Sequence, residues 1–214
     1  RAALRIPVAA AHGEAADRIR QAARVGESAF LATSVQPRAV EARNVTALLP
    51  GSDPTLADEV LIIGAHYDHL GFGGEGSLDP DAFGEVHNGA DDNASGTSGL
   101  IEIARRLSEG DRRPARSVLF LAFTAEEKGL WGSSQYIRSP RLPIAQNVAM
   151  LNMEMIGGLE GRTLTVMGVG TAEEWPDLLR AANQSMARPL SIATSPDGFG
   201  PSDHSSFYGE GLPV

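Results

Sequence analysis

Residues 118–127 read VLFLAFTAEE: six consecutive apolar residues are followed, after a threonine and an alanine, by two adjacent glutamates. An uninterrupted apolar run of this kind is typical of a central parallel strand that is covered on both faces. Glu126 and Glu127 are therefore predicted to lie just beyond the end of a buried strand. Carboxylates are costly to bury without a counter-charge, so these two residues indicate a functional site.

Two further apolar runs end in the same way. Residues 60–65 (VLIIGA) form a short β-branched run that ends at His66, and a predicted strand over residues 148–155 carries Glu154. Between these runs, residues 94–107 have the apolar spacing of an amphipathic helix. Acidic and histidine side chains thus recur where predicted strands end.

The remaining segments complete an alternation of strands and helices. We predict strands over residues 40–49 and 163–167, and helices over residues 14–24 and 173–186. Such an alternation indicates an α/β fold, a three-layer αβα sandwich with a mostly parallel mixed central sheet. Ligands of these sheets bind beyond the carboxyl ends of the strands, where the polar clusters fall.

Composition excludes several classes of protein. The chain has 214 residues, of which 42% are hydrophobic, enough for one substantial core. A net charge of -9 argues against nucleic acid or an anionic membrane as the main partner. There are no cysteines, which excludes disulfides and thiolate zinc sites. No run approaches the roughly 18 apolar residues of a transmembrane helix.

Five acid-and-histidine clusters carry the chemistry of this sequence. A pair of divalent cations would supply the missing counter-charge, and two histidines with several carboxylates are a ligand set that zinc prefers. This combination favours metal-assisted hydrolysis of a substrate. The clusters are HYDH (66–69), NGADDNASG (88–96), TAEEKGLWGS (124–133), NMEMIG (152–157) and SDHSSF (202–207).

The residue types in each cluster suggest distinct roles at a metal site. His66 would bind metal while Asp68 fixes its ring. One carboxylate can bridge two cations, and either Asp91 or Asp92 fits that role from the residues alone. Of the two adjacent glutamates, one would bind metal and the other would move a proton. Glu154 and His204 would complete two balanced sites.

In this order, the five motifs resemble the co-catalytic zinc exopeptidase family, which includes bacterial leucine-type aminopeptidases, glutamate carboxypeptidase and glutaminyl cyclases. The resemblance covers residues 40–214 and implies two Zn²⁺ ions. It assigns one zinc to His66, Asp92 and Glu154, and the other to Asp92, Glu127 and His204. Counting back from Ser95 and Gly96 places the bridge at Asp92, so Asp91 is interpreted as a charge at a helix N-terminus.

The resemblance also implies the catalytic residues, Glu126 as general base and Asp68 as the partner of His66. Many relatives have aspartate where this chain has Glu154, one methylene longer. His69 and His87 are interpreted as structural histidines. Trp131 and Tyr136 could equally line a pocket or pack in the core.

The implied function is that of a zinc-dependent exopeptidase acting on peptides, most simply an aminopeptidase. The alternatives are a glutamate-type carboxypeptidase, a glutaminyl cyclase and a catalytically silent receptor-like ectodomain. The resemblance further implies an exported protein, while the oligomeric state is left open. Residues 1–38 resemble the tail of a protease-associated domain. Residues 39–214 would be the catalytic domain, truncated at the C-terminus relative to the family fold.

Overall fold

A computed structural model describes residues 13–26, 39–74, 77, 81–110, 113–159, 161 and 163–214. The chain divides between Val40 and Glu41 into two compact units. In the first unit, the predicted helix over residues 14–24 is present as α1 (Gly13–Arg24). Most of the segment that resembles a protease-associated domain lies outside the described residues, and its assignment stays a prediction.

The second unit contains a four-stranded mixed sheet. Its strand order is β1-β5-β2-β6, with β1 antiparallel to β5 and the other three strands parallel to one another. The predicted mostly parallel mixed sheet is thereby confirmed. The strands are β1 (Val45–Leu49), β2 (Val60–His66), β5 (Ser117–Phe123) and β6 (Asn147–Asn152).

Helices cover both faces of this sheet. The five helices and two short turns of the described residues are α1, α2 (Gly96–Glu109), α3 (Trp131–Arg138), α4 (Trp175–Ser185), α5 (His204–Tyr208), an irregular turn over Ala90–Ser95 and a 3-10 turn over Ile144–Gln146. On one face, α2 packs against Ile63 and Phe120. On the other face, α3 and α5 contribute Tyr136 and Phe207 to a core with Phe123. This arrangement is the predicted three-layer sandwich.

The buried strands explain the position of the polar clusters. All but one residue in each of β2 and β5 are buried, so both strands are fixed by packing on two faces. Their register pairs His66 with Phe123, while Gly64 pairs with Asn152 at the end of β6. The three parallel strands therefore end close together, and the residues that follow them meet at one edge.

Several boundaries differ from the sequence prediction. The strand predicted over residues 148–155 ends at Asn152, so Glu154 lies on the loop beyond it. The loop over residues 70–88 contains a short antiparallel pair, β3 (Gly71–Phe72) and β4 (Val86–His87). A separate parallel pair consists of β7 (Thr163–Val166) and β8 (Ser191–Thr194). No helix among the described residues could cross a membrane.

Of the two aromatic residues left open by the sequence, Tyr136 is buried in the core and Trp131 is 68% exposed. Tyr136 packs against Phe207, with ring centroids 6.0 Å apart. Packing therefore accounts for Tyr136, and Trp131 has no core role.

Gly64 in the centre of β2 is predicted to tolerate no side chain. A Cβ at this position would lie 2.7 Å from a ring carbon of Phe123 and 2.8 Å from the methyl carbon of Met150. We expect Gly64→Ala to lower the free energy of unfolding by roughly 1–3 kcal/mol, the usual range for overpacking. Urea unfolding monitored by circular dichroism measures this change.

Gly209 provides the matched control. Its backbone is helical, with φ -59, and a Cβ there would meet nothing closer than 3.4 Å. Gly209→Ala should therefore leave stability unchanged or raise it by about 0.4–1 kcal/mol. An equal loss of stability in both variants would contradict the packing argument.

Candidate metal centre

His66 is the centre of a first group of metal-ligating side chains. Its ring is 1% exposed, and its Nε2 lies 3.1 Å from Glu154 Oε1 and 3.2 Å from Asp92 Oδ1. The potential ligand atoms of these three residues all lie within 4.8 Å of one another. The structure thus brings together the three residues that the family resemblance assigns to one cation.

The other nitrogen of His66 faces Asp68. His66 Nδ1 lies 3.1 Å from the Asp68 carbonyl oxygen and 3.6 Å from Asp68 Oδ1. The same carboxylate oxygen accepts a hydrogen bond of 3.1 Å from the backbone N–H of Glu126. Asp68 therefore links the imidazole to the start of the glutamate pair, as expected of a residue that orients a ligand.

A second group shares Asp92 with the first. It consists of His69, Asp92 and Glu127, again with potential ligand atoms within 4.8 Å of one another. His69 Nδ1 lies 2.7 Å from Glu127 Oε1 and 3.9 Å from Asp92 Oδ1. His69 is thus a candidate ligand, which the interpretation of His69 as a structural histidine does not anticipate. The available signal was its position only three residues after His66, on the loop that leaves β2.

His204, the histidine predicted for the second group, lies apart from it. It is the first residue of α5 and is 9% exposed. Among the described residues, neither of its ring nitrogens has a carboxylate oxygen within 4.0 Å, and it belongs to neither group. Its Nε2 is buried without a hydrogen-bond partner.

Several buried polar atoms here lack hydrogen bonds. His69 Nδ1, Asp92 Oδ1 and Glu127 Oε1 are close together, yet none has a hydrogen bond of acceptable geometry. Such atoms are costly to bury unless another partner satisfies them. Imidazole nitrogens and carboxylate oxygens are typical zinc ligands, so the donor set and its unsatisfied atoms fit a bound metal.

Burial and charge shift the proton affinities of this centre. Burial raises the pKa of Glu126 to about 7, opposed by the His66 charge and reinforced by the negative charges of Asp203 and Glu154. Burial tends to lower the pKa of His66, but its contacts with Asp68 and Glu154 raise it to about 11. Excess negative charge dominates the site.

Glu154 is held through its second carboxylate oxygen. The Ser202 hydroxyl donates a hydrogen bond of 2.6 Å to Glu154 Oε2, and Asn152 Nδ2 donates one of 2.8 Å to Ser202 Oγ. Glu154 Oε1 is thereby left facing His66. This network fixes the orientation of the Glu154 carboxylate toward His66.

The sequence of the chain is similar to sequences of known peptidases. Residues 44–214 match the model of peptidase family M28. The leupeptin-inactivating enzyme 1 of Streptomyces exfoliatus is 30% identical over 174 residues, which are 80% of this chain and 34% of that enzyme. A glutamate carboxypeptidase 2 homolog of Caenorhabditis elegans is 30% identical over 138 residues, covering 62% of this chain and 16% of that protein.

The chain also resembles a solved structure. The structure of a zinc aminopeptidase from Bacillus subtilis superposes with a TM-score of 0.59 at 27% identity, covering 79% of this chain and 38% of that one. The chain thus spans between 16% and 38% of the length of these proteins.

The shifted pKa of Glu126 can be measured directly. In the metal-free protein, carbon-13 NMR of the glutamate carboxyl groups should show Glu126, identified by its absence in Glu126→Gln, with a pKa of about 7. Since folding raises this pKa, its stabilising contribution is complete below about pH 4.5 and is lost as the pH rises through about 7.

Glu102 is the internal control, because hydrogen bonds from Arg105 and Arg106 lower its pKa to about 2. Asp203→Asn should lower the pKa of Glu126, since it removes one of the raising charges. A Glu126 pKa at the ordinary value near 4.5 would contradict the proposed environment.

Proposed function

The chain belongs to peptidase family M28, and on this basis we propose that it is a zinc-dependent aminopeptidase that removes apolar residues from the N-termini of peptides. The observation that carries the proposal is the pair of ligand groups that share Asp92. Glu126 stands next to them, with its Oε2 4.0 Å from His66 Nε2. Export from the cytoplasm is part of the proposal on the resemblance alone, and cell fractionation would test it.

We assign two zinc ions to this centre. His66, Asp92 and Glu154 would hold one ion, and Asp92, Glu127 and a second histidine the other. When bound, zinc supplies a Lewis acid that lowers the pKa of a water molecule and polarises a carbonyl oxygen. The support is the donor set together with Asp92 Oδ1 and Glu127 Oε1, two buried ligand atoms that lack hydrogen bonds.

Glu126 is proposed as the general base. A general base must lie within reach of the attacking water, and Glu126 Oε2 lies 4.0 Å from His66 Nε2, beside the first ligand group. Its carboxylate would take a proton from the attacking water and return it to the departing amine. Asp68 fixes the backbone N–H of Glu126 and the ring of His66, so it positions the base relative to the first group.

An apolar cavity beside the centre favours aminopeptidase activity. It has a volume of about 440 Å³, and Glu154 and His204 lie on its wall. Its other lining includes Leu164, Trp175 and Leu178, and it has no lysine or arginine among the described lining residues. A glutamate-type carboxypeptidase would need such cations to bind the substrate carboxylate. The cavity instead suits an apolar side chain of the substrate.

A substrate panel tests this proposal. We expect the zinc-loaded protein to hydrolyse leucyl and phenylalanyl anilides at least about tenfold more efficiently than glutamyl or lysyl anilides, because an apolar pocket penalises a buried charge. Release of the aniline is followed by absorbance. Hydrolysis of acyl-glutamate peptides in preference would establish the carboxypeptidase instead, and cyclisation of N-terminal glutamine would establish the cyclase.

Glu126→Gln is the matched control in the same assay. It should retain zinc, because Glu126 belongs to neither ligand group, but lose a factor of about 10²–10⁴ in turnover. Substantial residual activity in this variant would reject Glu126 as the base.

Zinc content identifies the second histidine. On the family resemblance we propose His204, whose Nε2 is buried without a hydrogen-bond partner; the alternative is His69, whose buried Nδ1 also lacks one and lies beside Glu127. His204→Ala should reduce bound zinc from two ions to one per chain by elemental analysis, while His69→Ala should retain two. The opposite result would assign the role to His69, and unchanged zinc in both variants would reject a histidine ligand at the second site.

A further inference from the structure

We propose that Asp91, Asn93 and Ser95 form a clamp that fixes the loop carrying Glu154 and thereby sets the zinc affinity of the His66 group. These three residues, called the clamp below, alternate with Asp92 and Ala94 in one short turn. The effect of the clamp on zinc affinity rests on the proposed function. The effect of the clamp on the conformation of the loop is independent of that function.

The clamp makes hydrogen bonds to the backbone on both sides of Glu154. Asn93 Nδ2 donates to the carbonyl of Met153, just before Glu154, at 3.0 Å. The three residues after Glu154 donate their backbone N–H groups to the clamp, as follows: Met155 to Asn93 Oδ1 at 3.3 Å, Ile156 to Ser95 Oγ at 3.0 Å and Gly157 to Asp91 Oδ1 at 2.7 Å. Glu154 is thus bracketed by four hydrogen bonds from a single turn.

The clamp is itself firmly held. Ser95 Oγ lies 2.7 Å from the Asp91 carbonyl oxygen and 3.1 Å from Asp91 Oδ1, so its proton is donated to Asp91 while its lone pair accepts from the loop. Asn93 is 1% exposed, and its Oδ1 also accepts from the backbone N–H of Gly96 at the start of α2. The turn is therefore anchored to a helix that packs on the central sheet.

The loop needs such a hold because its backbone is strained. Met155 has φ 48, a left-handed conformation that residues with a Cβ rarely adopt. A conformation of this kind persists only where the surroundings impose it. Hydrogen bonds from the clamp to Met155 and to its neighbours provide that constraint.

The fit between the clamp and the loop leaves no space. A Cβ at Gly157 would lie 2.9 Å from Asp91 Oδ1, and a Cβ at Gly158 would lie 2.7 Å from Asp91 Oδ2. The Asp91 carboxylate therefore packs directly against the backbone of both glycines. Asp91 is a positioning residue rather than only a charge at a helix N-terminus, which was the interpretation from sequence.

The clamp couples two ligands of one group. Asp92 lies between Asp91 and Asn93, so the turn that presents one carboxylate also fixes the loop that presents Glu154. His66 Nε2 is almost equidistant from them, at 3.2 Å from Asp92 and 3.1 Å from Glu154. Loosening the clamp should separate these carboxylates and weaken the group.

The test compares Asp91→Ala with Asp91→Asn. Alanine removes the acceptor for Gly157, whereas asparagine keeps an oxygen at the same place. We expect Asp91→Ala to weaken zinc binding about 10–100-fold, the usual effect of losing a residue that orients a ligand, and Asp91→Asn to restore affinity to within about threefold. Competition with a chelating indicator measures the affinity of the holoprotein and its variants.

Amide exchange gives a readout that needs no zinc. In the metal-free protein, the amides of residues 155–157 should exchange at least about tenfold faster in Asp91→Ala than in the wild type, since an open loop loses protection. Ser95→Ala, which removes the acceptor for Ile156 and the hydroxyl donor to Asp91, serves as a second variant should Asp91→Ala fail to fold. Asp53→Ala is the control: Asp53 accepts a hydrogen bond from Thr55 N–H in the loop before β2, away from the centre.

The outcomes separate the two proposals. Faster exchange together with weaker zinc binding in Asp91→Ala, but not in Asp53→Ala, supports the clamp. Lower stability with unchanged zinc affinity, or unchanged exchange of residues 155–157, would overturn it. If the wild type binds no zinc, the proposed function fails, and the exchange comparison alone decides whether the clamp holds the loop.

Discussion

Negative charge concentrated beyond the ends of three buried strands is the constraint on which this protein depends. Asp92, Glu126 and Glu154 have carboxylate oxygens within 4.0 Å of His66 Nε2, and Glu127 lies in the group that shares Asp92, at the edge of a sheet that excludes water from both faces. Carboxylates in such a place must share protons, find cations or repel one another. The raised pKa values of Glu126 and His66 correspond to the binding of protons in the metal-free protein. Membership of a zinc peptidase family indicates that a metal provides the cation that compensates these carboxylates.

The strands and the site edge could be predicted because both follow from local sequence. The run at residues 118–123 is apolar throughout, and such a run has few alternatives to a buried strand. His66 and Glu154 follow similar runs, and parallel strands end at one edge. These facts together predict that His66 and Glu154 meet, whereas the choice of Asp92 over Asp91 rests on the family resemblance.

The remainder of the site depends on the path of the chain between strands, which local sequence does not determine. His69 faces Glu127 because of the direction in which the chain leaves β2, and no periodic pattern encodes that direction. The loop after β6 contains the left-handed Met155, whose N–H donates to Asn93 in a turn some sixty residues earlier. Ser202 likewise reaches Glu154 only through tertiary structure. In the turn at residues 91–95, the proposed ligand Asp92 lies between residues that bind the loop at residues 153–157. This alternation can be recognised only when the loop is seen beside the turn in the structure.

Because Asp92 belongs to both ligand groups, occupancy of one group cannot be thermodynamically independent of occupancy of the other. An ion in the first group would fix the carboxylate that the second requires, and would also repel a second ion of like charge. Whichever effect is larger, linkage requires each ion to change the affinity for the other by the same factor. If fixation of Asp92 dominates, the two ions would bind and leave together, and complete centres would fall in step with the average metal content. If repulsion dominates, the second ion would leave first, and complete centres would fall faster than the average content.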